Sequence, residues 1–309
     1  MDEKIFKRTP VMNKIALKFR YKNRIPECCI YKELWMKILV ELLVVVFAFF
    51  GLSQLFAIGN MELINTQTVD MNSVKTLNIS YTSDNIALLE SDGDNLILKE
   101  YMTRSSPEYF ANIKKSQDAV IISNGVRPLL IRTRIEIYVP KIFTDNLVFS
   151  LKSGNLTSNY NMNHTNIDLT VSSGNMNVVG VSSENILVKV SSGNIRINSC
   201  QGKINAVIKS GNITVDNFSG SGMFDTKSGN TNLAINGLIG DLSLFVGSGT
   251  INLMTNGNIS YILDADVRSG NIRIPDNKTQ TNTKAQHIIG SKAVYKISAK
   301  CGSGNINIR

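Results

Sequence analysis

The chain is poor in the side chains that do chemistry. Its 309 residues include two histidines, four cysteines and one tryptophan. His164 and His287 lie far apart, without a cysteine or acid at metal-ligand spacing, so no metal site or cofactor is expected and both are read as surface residues. Acid clusters are missing as well. A β-helical lyase or hydrolase needs carboxylates on neighbouring turns. Counted from the repeat described below, Asp168 and Asp264 share a phase but lie five repeats apart. Asp225 and Asp266 share another, two repeats apart with Phe245 between them. No catalytic residues are assigned, and the chain reads as a non-enzyme.

The folded part also lacks a charge excess. Residues 1–37 hold ten Lys or Arg against four acids, whereas residues 60–309 hold 23 against 19. Most of the net charge of +9 therefore sits in a short tail. That excludes a nucleic-acid-binding domain, which needs its basic excess on the folded surface.

What is there is a tripeptide that returns. Ser-Gly-Asn begins at Ser153, Ser173, Ser192, Ser210, Ser228, Ser269 and Ser303, with Ser-Gly-Thr at Ser248. Successive spacings are 20, 19, 18, 18, 20, 21 and 34 residues. Around each copy, apolar and polar residues alternate with period two, as in a half-buried strand: Val188 and Val190 against Lys189, then Ile195 and Ile197 against Arg196. A unit of this length is too short for four propeller strands and too rich in Asn and β-branched residues for helix pairs. It predicts an all-β solenoid of about 20-residue coils, two short strands and two corners each, stacked at roughly 4.8 Å. Glycine supplies a positive φ at the corner, and the Asn after it can form a hydrogen-bonded ladder along the axis. The column is read as structural.

The second feature is an apolar run. Residues 38–58 are 21 long and carry one charge, Glu41. As a helix they span roughly 30 Å, the thickness of a hydrocarbon core. Tyr31 and Trp35 sit where aromatic anchors belong, and the basic tail places the N-terminus in the cytoplasm and the repeats outside. A cleaved signal peptide is the competing reading. It gains from a second start at Met36-Lys37 but lacks a small-x-small cleavage site near Ala57.

The expected organisation is then a basic cytoplasmic tail (1–37), a transmembrane helix (38–58), a membrane-proximal β region that starts and caps the solenoid (59–150), and the Ser-Gly-Asn solenoid (151–309). Cys28 and Cys29 fall on the cytoplasmic side. Cys200 and Cys301 fall outside, about five coils or roughly 20 Å apart, too far for a disulfide. The last spacing holds an extra polar loop, Pro275 to Ala285, a place where binding often resides.

With Ile79-Ser-Tyr-Thr-Ser-Asp-Asn-Ile86, Tyr138-Val-Pro-Lys141 and the serial Ser-Gly-Asn-Ile units in view, the chain resembles a bacterial family of β-strand repeats named "putative adhesin". The resemblance covers roughly residues 70–309. It implies an envelope location and a solenoid-like fold, and it brings no catalytic residues.

Basic residues precede the repeat Ser at Lys152, Lys209, Lys227 and Arg268. Lys209, Lys227 and Arg268 are the candidate contacts to an anionic envelope polymer, such as a wall teichoic acid, or to a lipid headgroup. The leading expectation is a membrane-anchored, extracytoplasmic, adhesin-like binding module for such a polymer or for a protein partner. The alternative is an envelope sensor that signals through a membrane-protein partner of its span, motivated by Glu41.

Overall fold

The computed structural model describes residues 60–256, 259–274, 279–280 and 283–309. The expected tail and the 38–58 span lie outside them. Among the described residues, no helix is long and apolar enough to cross a membrane.

Every layer of the stack is built on in-register parallel pairing. The strands are β1 (Glu62–Asp70), β2 (Thr76–Ser91), β3 (Asn95–Met102), β4 (Asn112–Lys115), β5 (Ala119–Ser123), β6 (Thr133–Pro140), β7 (Asn146–Asn163), β8 (Asn166–Ser173), β9 (Met176–Ser192), β10 (Ile195–Ser210), β11 (Ile213–Thr255), β12 (Tyr261–Arg273), β13 (Thr279–Gln280), β14 (Lys284–Ile289) and β15 (Tyr295–Ile308). Ser192 faces Ser210, and Ser210 faces Ser228. Side chains at equal phase therefore stack. Ile79, Phe149, Leu169, Val188 and Ala206 form one buried column, and Ile86, Leu156, Met176, Ile195 and Ile213 form another. Where Gly222 replaces the isoleucine of the layer before, Phe218 and Phe224 fill the space edge to face, centroids 5.7 Å apart.

Each coil has three corners rather than two. Along β9 the in–out alternation slips at Gly180-Val181 and again at Glu184-Asn185, besides the Ser-Gly-Asn corner. The short third side contributes one inward residue per layer, Met162, Val181, Cys200 and Phe218 in turn. A single apolar residue produces no alternation, so the sequence pattern hides this side. Cys200 and Cys301 are free and buried, four layers apart.

Layer order departs from chain order at the far end. The sheet runs β10, β11, β15, β12, so the last copy, at Ser303, lies between those at Ser248 and Ser269. The chain skips a layer after Thr255, and then β14 returns antiparallel along β12. Finally β15 fills the gap. The segment expected as a loose loop is thus in part strand: β13 and β14 both pair with β12. An open parallel edge invites another chain, and here an antiparallel strand covers it.

The near end is capped differently. β5 and β6 together make the layer below β2, and β4, β3 and β1 add antiparallel strands beyond them.

Candidate functional site

The Ser-Gly-Asn corners form one edge along the stack. At Gly193 φ is +138°, and a Cβ there would lie 1.7 Å from the Gly174 carbonyl oxygen of the next layer. Only glycine fits so close an approach at this φ. The amides that follow make the expected ladder. Asn175, Asn194, Asn212 and Asn230 each donate a backbone N–H and a side-chain N–H to the preceding Oδ1, at 2.9 to 3.3 Å. Thr250 keeps the backbone bond to Asn230 but has no amide to pass on.

A layer that the sequence pattern hides begins the edge. Ser83-Asp84-Asn85 pairs with Ser153-Gly154-Asn155, and the Asn155 amide donates to Asn85 at 2.8 Å. Aspartate stands where glycine would, and it marks the passage from stack to cap.

Beside the corner runs the basic column. Lys209 and Lys227 face each other in adjacent layers, about 4.8 Å apart along the stack. Gly247 lies over Lys227 and Gly302 over Gly247, and Arg268 follows in the layer after. Because β15 intercalates, Arg268 is three layers from Lys227, one more than chain order implies. In the other direction Ser191 and Ser172 separate Lys209 from Lys152. The column therefore runs through eight layers, seven steps and about 34 Å, with only serine and glycine between its cations. Lys152, Lys209, Lys227 and Arg268 are exposed, and among the described residues none makes an ion pair.

The sequence reading missed two members of this face. Lys189 and Lys300 project from the outward row two residues before the column's, and both are exposed. They share phase minus three from their repeat serines, the count applied above to the acids alone. Asp225 and Asp266 occupy that row too. Asp266 pairs with Lys300 in the sheet and lies 3.8 Å from the Lys284 ammonium.

On the other side of the corner lies an open cleft of about 510 Å3, lined by Asn177, Asn194, Arg196, Asn212, Thr214 and Asn232. Its walls are amides and a hydroxyl, with Arg196 held to Asp216 at 2.7 Å. The edge thus offers, on one flank, a row of cations unpaired among the described residues and, on the other, amides and a hydroxyl beside the Arg196–Asp216 ion pair.

This run of stacked, glycine-cornered parallel layers is a shared architecture: residues 74–309 match the Toastrack DUF4097 family. The chain belongs to that family. Solved structures to which the chain is similar include a "putative adhesin" from Parabacteroides distasonis, 15% identical, TM-score 0.46, covering 80% of this chain and 97% of that one. Others are a "putative cell adhesion protein" from Clostridium sporogenes (16%, TM-score 0.29, 81% and 99% covered) and a "putative adhesin" from Bacteroides fragilis (13%, TM-score 0.32, 80% and 97% covered). No curated protein matches the chain.

Two titratable clusters in this Toastrack chain lie off the edge. His164 is 4% exposed rather than at the surface, packed 5.5 Å from Phe143, with Nε2 3.4 Å from the Tyr160 hydroxyl. It fills the third corner, where the chain turns inward. Burial lowers its pKa to about 4, against a smaller opposing pull from Asp145. It is neutral at physiological pH. His287 is exposed on β14.

The second cluster lies in the cap. Arg127 donates from Nε to Asp84 at 2.9 Å, and its Nη2 lies 3.8 Å from Glu100. Nη1 donates to the Tyr109 carbonyl. Thr133 donates to Asp84, Asn65 donates to Glu100 at 2.7 Å, and the Ala111 N–H donates to both Glu100 oxygens at 3.0 Å. Burial raises the Asp84 carboxyl above its usual range, with Thr133 and Arg127 opposing. Both carboxylates are spoken for, so the cluster ties the cap together. Among the described residues, no group of three or more His, Cys, Asp or Glu is placed to hold a metal ion.

Proposed function

We propose that this protein is a membrane-anchored, extracytoplasmic Toastrack stack that binds an anionic, hydroxyl-rich envelope polymer without chemical turnover. The observation that carries the reading is the exposed cation column of Lys152, Lys209, Lys227 and Arg268, spaced only by serine and glycine, beside the amide-lined cleft. A polyol phosphate chain has charges for the first and hydroxyls for the second. The apolar run at 38–58 supports an anchor that holds the stack outside the cell. Contacts that are weak singly add along a rigid edge.

Co-sedimentation of the full chain in detergent micelles with isolated cell envelopes, at low and high salt, tests it. The expected result is binding that weakens with salt and is lost in the Lys209→Ala/Lys227→Ala/Arg268→Ala variant. Binding unchanged in the variant would move the site off this edge. Binding absent at every salt would favour the sensor reading through the span.

A further inference from the structure

One turn of the cap places leucines where turns favour glycine. The Ile131 N–H donates to the Pro128 carbonyl at 3.4 Å, which closes a four-residue turn on Leu129 and Leu130. Leu130 has φ +70°, a conformation usually left to Gly or Asn at that turn position. Leu129 is 89% exposed, Leu130 52% and nearby Val126 55%. Among the described residues nothing covers them, yet the base of the turn is fixed. Val126 donates its N–H to the Glu108 carbonyl at 2.8 Å, and Arg127 is locked to Asp84 and Glu100 beneath it. A strained, rigid, apolar tip on a fixed base is built to meet something apolar.

Its position indicates what that is. Met61 shares a cleft of about 310 Å3 with Ile131, Arg132 and Arg134, and Glu62 pairs with Met102 beside the Thr103–Arg132 hydrogen bonds. The chain therefore enters the fold next to this turn. The apolar run ends at Ile58, three residues before Met61, a reach of about 10 Å when extended. Arg104 and Arg132 are exposed at the foot of the turn, at the level where lipid phosphates would lie.

We infer that Leu129 and Leu130 seat in the interfacial layer of the bilayer that residues 38–58 span, holding the cap against the membrane so that the stack stands out from it. This rests on the anchored reading above. The occupant is the lipid surface itself, met by two leucines and flanked by arginine.

The test uses the full chain in vesicles of phosphatidylcholine and phosphatidylglycerol with brominated acyl chains. A Trp35→Phe background removes the native tryptophan. Leu129→Trp reports the turn, and Val294→Trp, 75% exposed at the opposite end of the stack, is the control. Carbonate extraction is run in parallel. Leu129→Trp should be blue-shifted and quenched several-fold more than Val294→Trp, in protein that carbonate leaves in the vesicles. Retained protein with an unquenched, solvent-like Leu129→Trp would overturn the lipid contact and leave the anchor standing. A blue shift without quenching would also overturn it, and would assign the tip to a protein surface or a second copy. Carbonate release of the chain would overturn the contact and the anchored reading together.

Discussion

The regular stack and the cap are both built of β-strands but are held by different chemistry. In the stack, from β7 onward, each layer repeats the one before, with aliphatic columns inside and neutral amide ladders at the corner. In the cap, layers do not repeat, antiparallel strands enter, and Arg127, Asp84 and Glu100 tie together β1, β2, β3, β6 and the stretches at 109–111 and 127. Repetition lets one solution serve many layers. Where it stops, hydrogen-bonded charges settle one arrangement, and strain gathers at Leu130. In the reading proposed above, the stack supplies reach and the cap supplies attachment.

The largest expected effect separates the glycines of the two regions. Gly193→Ala should disrupt its layer, since positive-φ strain costs about 1–3 kcal/mol and the overlap with the Gly174 carbonyl adds to it. Gly93→Ala, with Ser91 Oγ 3.8 Å away and no positive φ, should leave the melting temperature nearly unchanged. Equal effects in thermal melts would break the contrast.

In the cap the corresponding weak point is a charge. Arg127→Leu strands two buried carboxylates and should cost about 3–5 kcal/mol in denaturant unfolding, with the loss partly recovered at acid pH. The exposed Lys115–Asp70 pair offers the control, because Lys115→Ala should leave the unfolding midpoint nearly unchanged.

The third prediction is a pH dependence. The folded pKa of His164, about 4, lies below the ordinary histidine value of 6.5. The native state therefore binds fewer protons between these values. Stability is full above 6.5 and falls as pH drops towards 4, by about 3 kcal/mol in all. His164→Gln should flatten that slope, and a slope unchanged in the variant would assign it elsewhere.

The smallest effect has the opposite sign. Leu130→Gly relieves a left-handed leucine and should raise stability by about 1 kcal/mol in solution, while weakening the lipid contact proposed above.

How much of this was legible in the residues follows the same division. The ladder and the inward columns could be read because Val188, Val190, Ile195 and Ile197 recur at fixed phase from each corner. The first layer escaped because Asp84 stands in for glycine, and the third side escaped because Cys200 and its equivalents alternate with nothing. Chain order suggested that Ser303 ends the stack. The 34-residue spacing carried the warning, but only the pairing of β15 on both sides shows it between β11 and β12. For the basic edge, Lys209 and Lys227 were readable as neighbours, and Lys189 and Lys300 were readable by the phase count. The distance to Arg268 was not, since it depends on the intercalated layer. The cap cluster was out of reach, because Asp84 and Arg127 are 43 residues apart and no repeat links them.

The edge is the centre of this account, and a purified polyglycerol phosphate tests it most directly. Affinity of the full chain would be measured across a range of salt concentrations, beside Lys209→Ala/Lys227→Ala. Log K should fall with log salt for the native chain and follow a shallower, weaker line for the variant, with the melting temperature unchanged. Identical lines for the two proteins, or native binding indifferent to salt, would contradict it.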